Sequence, residues 1–134
     1  MVAAQAGCEG VGMLDHLKLH VSDPKRSRAF YEQALAPLGY KAIMEPAPGV
    51  VGMGPGYPCF WLAPGEPASG PIHVAFRADS EETVAAFHRA ALAAGGTDNG
   101  APGPRPRYYE GYYGAFVLDP DGNNVEAVYH PARG

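Results

Sequence analysis

The chain has little of what marks several large classes of protein. Its 134 residues include two cysteines and one tryptophan, and charged side chains make up only 18% of them. With a formal net charge of -4 and no clustered run of Lys or Arg, it offers no electrostatic footprint for a nucleic acid, which is not expected as a partner. No apolar stretch approaches the roughly 20 residues that span a bilayer. The opening Met-Val-Ala-Ala-Gln-Ala-Gly also lacks a basic segment followed by an apolar one. A cytoplasmic protein without a membrane partner is the expectation. Cys8 stands among small residues and Cys59 in an apolar strand, a mismatch of setting that argues against a structural disulfide and for reduced thiols. Cys59 has no local base or helix N-terminus to activate it as a nucleophile. The segment Gly49-Val50-Val51-Gly52-Met53-Gly54 has neither a lysine nor a following helix signal, which excludes a phosphate-binding loop.

What is present is a hydrophobic fraction of 46%, enough for one globular domain to bury a core without staples. Residues 1–12, rich in Ala and Gly and without periodicity, read as a disordered leader, and a single domain spans 13–134. That domain repeats itself. His16 to Leu35 aligns without a gap on His73 to Leu92, 57 positions later, pairing His16 with His73, Phe30 with Phe87, Ala34 with Ala91 and Gly39 with Gly96. A repeat of this length implies two copies of one supersecondary unit, module one over 13–63 and module two over 71–130, each needing the other to close a core.

The period of each segment supplies the elements. From Leu14 to Val21 the residues alternate, with Asp15, Leu17, Leu19 and Val21 on one face and His16, Lys18 and His20 on the other. Asp23 offers an N-cap with Pro24 at the first helical position, Phe30, Ala34 and Leu38 follow at helical spacing, and Gly39 ends the helix. A strand over Tyr40 to Met44, a loop or short hairpin around Val50 to Met53 and a strand over Cys59 to Ala63 complete the first module. The second restarts with a strand at His73 to Arg77. A capping box of Asp79 with Glu82 then opens a helix that ends at Gly95-Gly96. Asp98 to Arg107, with three prolines, reads as a loop. Ala115 to Leu118 and Asn124 to Tyr129 form a closing hairpin around the turn Asp119 to Asn123. Each unit thus reads βαβββ, and polar faces turned inward would bring His16, His73 and Glu126 together. His20 lies two same-face steps further along the strand than His16 and is a rim residue. His88 reads as a surface histidine.

The segments Asp15-His16-Leu17-Lys18-Leu19-His20-Val21-Ser22-Asp23, Ile72-His73-Val74-Ala75-Phe76 and Asp119-Pro120-Asp121-Gly122-Asn123-Asn124-Val125-Glu126 resemble the vicinal oxygen chelate superfamily. That superfamily contains glyoxalase I, extradiol dioxygenases and bleomycin-resistance proteins. The resemblance implies an α+β fold in which two βαβββ modules form a cup-shaped mixed sheet with helices on the outside. It also implies a divalent metal (Ni, Co, Zn, Mn or Fe) held by His16, His73 and Glu126. A fourth ligand would fall within Cys59-Phe60-Trp61-Leu62, where no carboxylate stands, leaving two histidines and one carboxylate. A metal-bound water or a loosened Glu126 would act as the catalytic base.

Tyr108, Tyr109, Tyr112 and Tyr113, with Arg105 and Arg107 before them, form a second cluster suited to closing over a planar or anionic ligand. The four tyrosines, Arg107 and Trp61 are the candidate substrate-binding residues. The functional expectation is a small metal-dependent enzyme resembling glyoxalase I and related lyases or isomerases, acting on a small oxygen-chelating molecule. The alternatives are a bleomycin-resistance-like protein that sequesters an aromatic or drug-like ligand, and a ring-cleaving dioxygenase. The resemblance further implies a homodimer, and the sequence leaves open whether the cup forms within one chain or across two.

Overall fold

A computed structural model describes residues 14–67, 70–108 and 110–131. The expected leader at 1–12 lies outside the described residues, as does Tyr109. Module one comprises β1 (Leu17–Val21), α1 (Pro24–Leu35), β2 (Lys41–Ala47), β3 (Val50–Gly54) and β4 (Phe60–Pro64). Module two comprises β5 (His73–Arg77), α2 (Glu81–Ala93), β6 (Thr97–Pro104), β7 (Tyr113–Leu118) and β8 (Asn124–Tyr129). Each module forms a four-stranded sheet of the same topology, β1-β4-β3-β2 and β5-β8-β7-β6, with one parallel pair and two antiparallel ones. The α+β class and the duplicated βαβββ unit agree with the reading of the sequence.

Local chemistry sets the helix ends. Asp23 accepts from the Arg26 amide at 3.2 Å and Pro24 fills the first turn, where its missing N–H costs nothing. The chain leaves α1 through a 3-10 turn at Ala36–Leu38, and Gly39, at φ 87, takes the left-handed conformation that lets it turn back. In α2 the cap is Ser80, whose hydroxyl accepts from the Thr83 amide, and not the expected Asp79. Both are good caps, and one residue of phase decides between them.

The segment read as a loop at 98–107 is strand β6 as far as Pro104. Its prolines are compatible with that because β6 is an edge strand, paired with β7 alone through two register shifts.

Leu19 and Val21 of β1 are buried while Lys18 and His20 are exposed, so each sheet lays its apolar face on a helix. The two helices pack on one another and a single core runs through both modules. Phe60 of β4 meets Phe76 of β5 edge to face, with ring centres 5.2 Å apart, and Tyr40 meets Phe76 at 5.5 Å. The modules are also latched by polar groups. The Tyr31 hydroxyl in α1 donates to Asp119 Oδ2 at 2.6 Å, and Ser22 donates to Asp121, both in the β7–β8 turn. Within one chain both sheets and both helices therefore share one core, and the opposite face of each sheet carries its more exposed side chains.

Burial pushes the Tyr40 phenol up to about 12, and burial together with the facing Asp119 carboxylate raises Tyr31 well above its ordinary value. A folded-state pKa above the unfolded value of about 10 means that this stability is complete below pH 10 and is lost as pH rises toward 12. Urea midpoints should therefore fall from pH 9.5 to 11.5, with Tyr40 accounting for a loss on the order of 2 kcal/mol. Tyr40→Phe, which retains the ring against Phe76, should flatten that part of the profile.

Candidate functional site

The open face of module two carries the side chains that alternate away from α2. His73 and Ala75 of β5 stand beside Asn124 and Glu126 of β8 in parallel register, and Phe116 of β7 lies opposite Glu126. Glu126 is 1% exposed, an unusual place for a carboxylate, and two donors hold it. His73 Nε2 lies 2.8 Å from Oε1, and the Tyr112 hydroxyl donates to Oε2. The His73 side chain is 53% exposed, so the pair is reached from the open face. Gly114 makes room for this arrangement, since a Cβ there would sit 3.1 Å from Glu126 Oε2 and 3.2 Å from the Tyr112 ring. Sequence placed Glu126 and His73 together, and the structure does so.

His16 lies on module one, one residue before β1. Asp15 Oδ1 bonds its Nδ1 at 3.0 Å and Tyr57 donates to Asp15 Oδ2 at 2.7 Å. These two contacts, His16 first, hold the Asp15 carboxyl below its usual value. With Nδ1 protonated, Nε2 of His16 is left as an acceptor, the arrangement in which a carboxylate orients a metal-binding imidazole. His16 lines a cleft of about 400 Å³ with Lys18, Tyr57, Pro58 and Trp61. Asp15 was legible only as the neighbour of a histidine, and Tyr57 gave no signal at all.

The two registers identify the position in module one that answers to Glu126. Lys18 pairs with Trp61 across β1 and β4, and its repeat partner Ala75 pairs with Glu126 across β5 and β8. Trp61 is therefore the module-one counterpart of Glu126. Its indole lies over Gly52, where a Cβ would meet the ring at 2.8 Å, and its Nε1 donates to the Pro58 carbonyl at 3.2 Å. An apolar wall stands where a second carboxylate would.

The structure does not bring all the candidates together. Among the described residues of one chain there is no group of three His, Cys, Asp or Glu side chains that could hold a metal ion. His16 and the His73–Glu126 pair belong to separate open faces. In the tyrosine segment, Tyr112 reaches Glu126 and packs edge to face on Tyr108, with ring centres 4.9 Å apart. Tyr113 turns the other way and packs against the core. Arg107 is exposed and lies over the Tyr108 ring at 5.2 Å.

Two side readings change. His88 is buried rather than on the surface. Its Nε2 lies 2.9 Å from Asp98 Oδ1, and that contact, with the Gly100 amide, lowers the Asp98 carboxyl. Cys59 is disulfide-bonded, so the expectation of a reduced thiol fails there. Its partner lies outside the described residues.

Among the described residues no helix is long and apolar enough to cross a membrane. No curated protein matches the chain. Among solved structures it is similar to a glyoxalase/bleomycin resistance protein from Albidiferax ferrireducens T118, at 29% identity and a TM-score of 0.76, covering 90% of this chain and 100% of that one. It is also similar to a lactoylglutathione lyase from Agrobacterium tumefaciens, at 22% identity and a TM-score of 0.68, covering 93% and 98%. A glyoxalase I mutant from Zea mays matches at 25% identity and a TM-score of 0.64, over 86% of this chain and 46% of that one. A family model matches residues 13–127, and the chain belongs to the family it describes, the Glyoxalase/Bleomycin resistance protein/Dioxygenase superfamily.

Proposed function

We propose that the protein is a metal-dependent enzyme of the glyoxalase type, a lyase or isomerase acting on a small oxygen-chelating molecule, and that a homodimer completes its centre. The carrying observation is the buried Glu126 carboxylate paired with His73 on an open sheet face, with a carboxylate-oriented imidazole, His16, at the position related by the internal repeat. Imidazole nitrogen and carboxylate oxygen are the donors that Fe, Mn, Ni, Co and Zn accept in open octahedral sites. One chain supplies two such donors on one face and the third on another. The open face of module one from a second copy, set against module two of the first, brings the three together.

In this reading His73, Glu126 and the second copy's His16 hold the ion. When bound, the ion supplies charge stabilisation at the substrate oxygens. The rest falls to the chain. Glu126 receives the proton from the substrate carbon on a carboxylate oxygen and returns it to the neighbouring carbon. Tyr112 fixes that carboxylate through its other oxygen, and Trp61 and Phe116 provide apolar walls that limit water. A cytoplasmic location remains part of the proposal, and the same donor set would serve a ring-cleaving dioxygenase.

Melting curves with Ni, Co, Zn, Mn and Fe(II), alongside element analysis, test this. At a hundredfold excess over Kd, the fitting ion should raise Tm by about 10 °C. His73→Ala should abolish the shift. Absence of stoichiometric metal would instead support a binding protein that sequesters an aromatic ligand, the reading that Trp61 favours by standing in place of a ligand.

A further inference from the structure

We propose that Arg105 is an anion-binding subsite on the open face of module two, selecting a ligand that carries a carboxylate one aromatic ring away from the His73–Glu126 pair. The inference rests on the reading that this face receives the ligand. Three observations support it.

First, the guanidinium is held in place before any ligand arrives. Nη2 donates to the Ala101 carbonyl at 2.8 Å, and Nη1 donates to the Gly103 carbonyl at 2.9 Å and the Pro104 carbonyl at 3.4 Å. It lies over the Phe116 ring, with Cζ 5.4 Å from the ring centre. Second, the backbone is shaped around it. A Cβ at Gly100 would sit 3.3 Å from Nη2 and 2.9 Å from Phe116, and one at Gly103 would sit 3.3 Å from Nη1. Gly100 also takes φ 154, where side chains are rarely found. Third, its charge has no counter-charge. Among the described residues Arg105 makes no ion pair, in contrast to Arg28, which pairs with both Glu32 and Glu45.

The three backbone bonds occupy part of a group with five N–H donors. The Nε–H and one Nη2–H remain for a ligand, and a planar fork of donors on an aromatic floor suits a carboxylate. The same Phe116 ring lies 6.2 Å, centre to centre, from the His73 ring. A molecule chelated beside His73 can therefore extend over Phe116 and place an acidic group on Arg105. Spacing along the chain gave no reason to prefer Arg105 to Arg107. The sheet separates them, because Arg105 follows β6 directly and folds back over it.

The test titrates the metal-free full-length protein with succinate and with its neutral analogue succinamide, followed by calorimetry and by the arginine Nε–H resonances. Succinate should bind, succinamide should not, and Arg105→Gln should weaken succinate by at least about tenfold. Arg105→Lys should recover part of that loss. Arg89→Gln, an equal change of charge on the exposed side of α2, should leave binding unchanged. The proposal is overturned if wild-type protein ignores succinate, if succinamide binds as well, or if Arg105→Gln binds like wild type. Co(II) binding, read by visible absorption, should be unaffected by Arg105→Gln, and its loss would make Arg105 structural and also overturn the proposal. Wild-type protein that binds no Co(II) yet discriminates succinate through Arg105 would remove the metal reading and leave this one standing.

Discussion

Co-expressing a His16→Ala chain with a Glu126→Ala chain should restore about one quarter of the wild-type metal capacity, although neither variant binds metal at micromolar concentration by itself. The proposed centre takes His16 from one copy and His73 with Glu126 from the other. A mixed dimer then has one intact centre, built from the unaltered module of each chain, and one centre with both defects. Random assortment makes about half of the dimers mixed, each with one working centre of two, hence the quarter. Element analysis of the whole mixture reads the quarter, and the mixed dimer isolated through different tags on the two chains should hold one ion per dimer, half of the wild-type capacity. A cup closed within each chain would place one defect in every centre and restore nothing. The outcome therefore tests the assembly and the ligand set together, and single substitutions cannot separate the two.

Asp119→Ala should lower stability by about 3 to 5 kcal/mol, a larger effect than most single changes produce. Asp119 is 5% exposed and accepts from the Tyr31 hydroxyl, the amides of Asp121 and Asn123, and Asn123 Nδ2. Removing the carboxylate deprives four donors at once, and the buried Tyr31 hydroxyl has no route to water. An unsatisfied buried polar group costs about 1–3 kcal/mol. The same turn also positions Asn123 to accept from the Ile72 amide just ahead of β5 at 3.0 Å, so His73 enters its strand from a fixed point. Urea denaturation should show a lower midpoint with an unchanged slope, and Tyr31→Phe should reproduce a smaller part of the loss. An Asp119→Ala midpoint within error of wild type would show that the latch between the modules carries no stability.

The duplication was legible because it is carried by chemistry that a sequence displays openly. Paired histidines, helical spacing of Phe30 and Phe87, and the Asp-Pro-Asp-Gly-Asn turn all survive in the one-dimensional record. His73 with Glu126 followed from turning the polar faces of the alternating strands inward, and the structure adds the parallel pairing that sets them side by side. What failed to show depends on partners distant along the chain. Strand β6 was hidden because proline argues against a strand until its edge position is known. The burial of His88 depends on Asp98, brought over α2 by that same strand. Trp61 could be narrowed to a four-residue stretch, and only the register against Lys18 identified it as the counterpart of Glu126. Separation of His16 from the other two donors had no local signal either. It follows from a core shared by both modules, which takes the apolar face of each sheet and leaves the two polar faces separate.

The sheets end differently on their two sides. Strands β2 and β6, at one edge of each sheet, contain Pro46 and Pro102 with Pro104, and both have shifted registers. Strands β1 and β5, at the opposite edges, are free of proline and pair regularly. Irregular, proline-bearing margins are poor templates for adding another strand, whereas plain ones invite it. Growth by edge-to-edge addition is thus blocked on the outer margins, and a pair of chains meeting along β1 and β5 consumes the margins that remain. For the proposed homodimer the consequence is a finite particle: association along those margins should stop at a closed, twofold assembly instead of running on into a fibre.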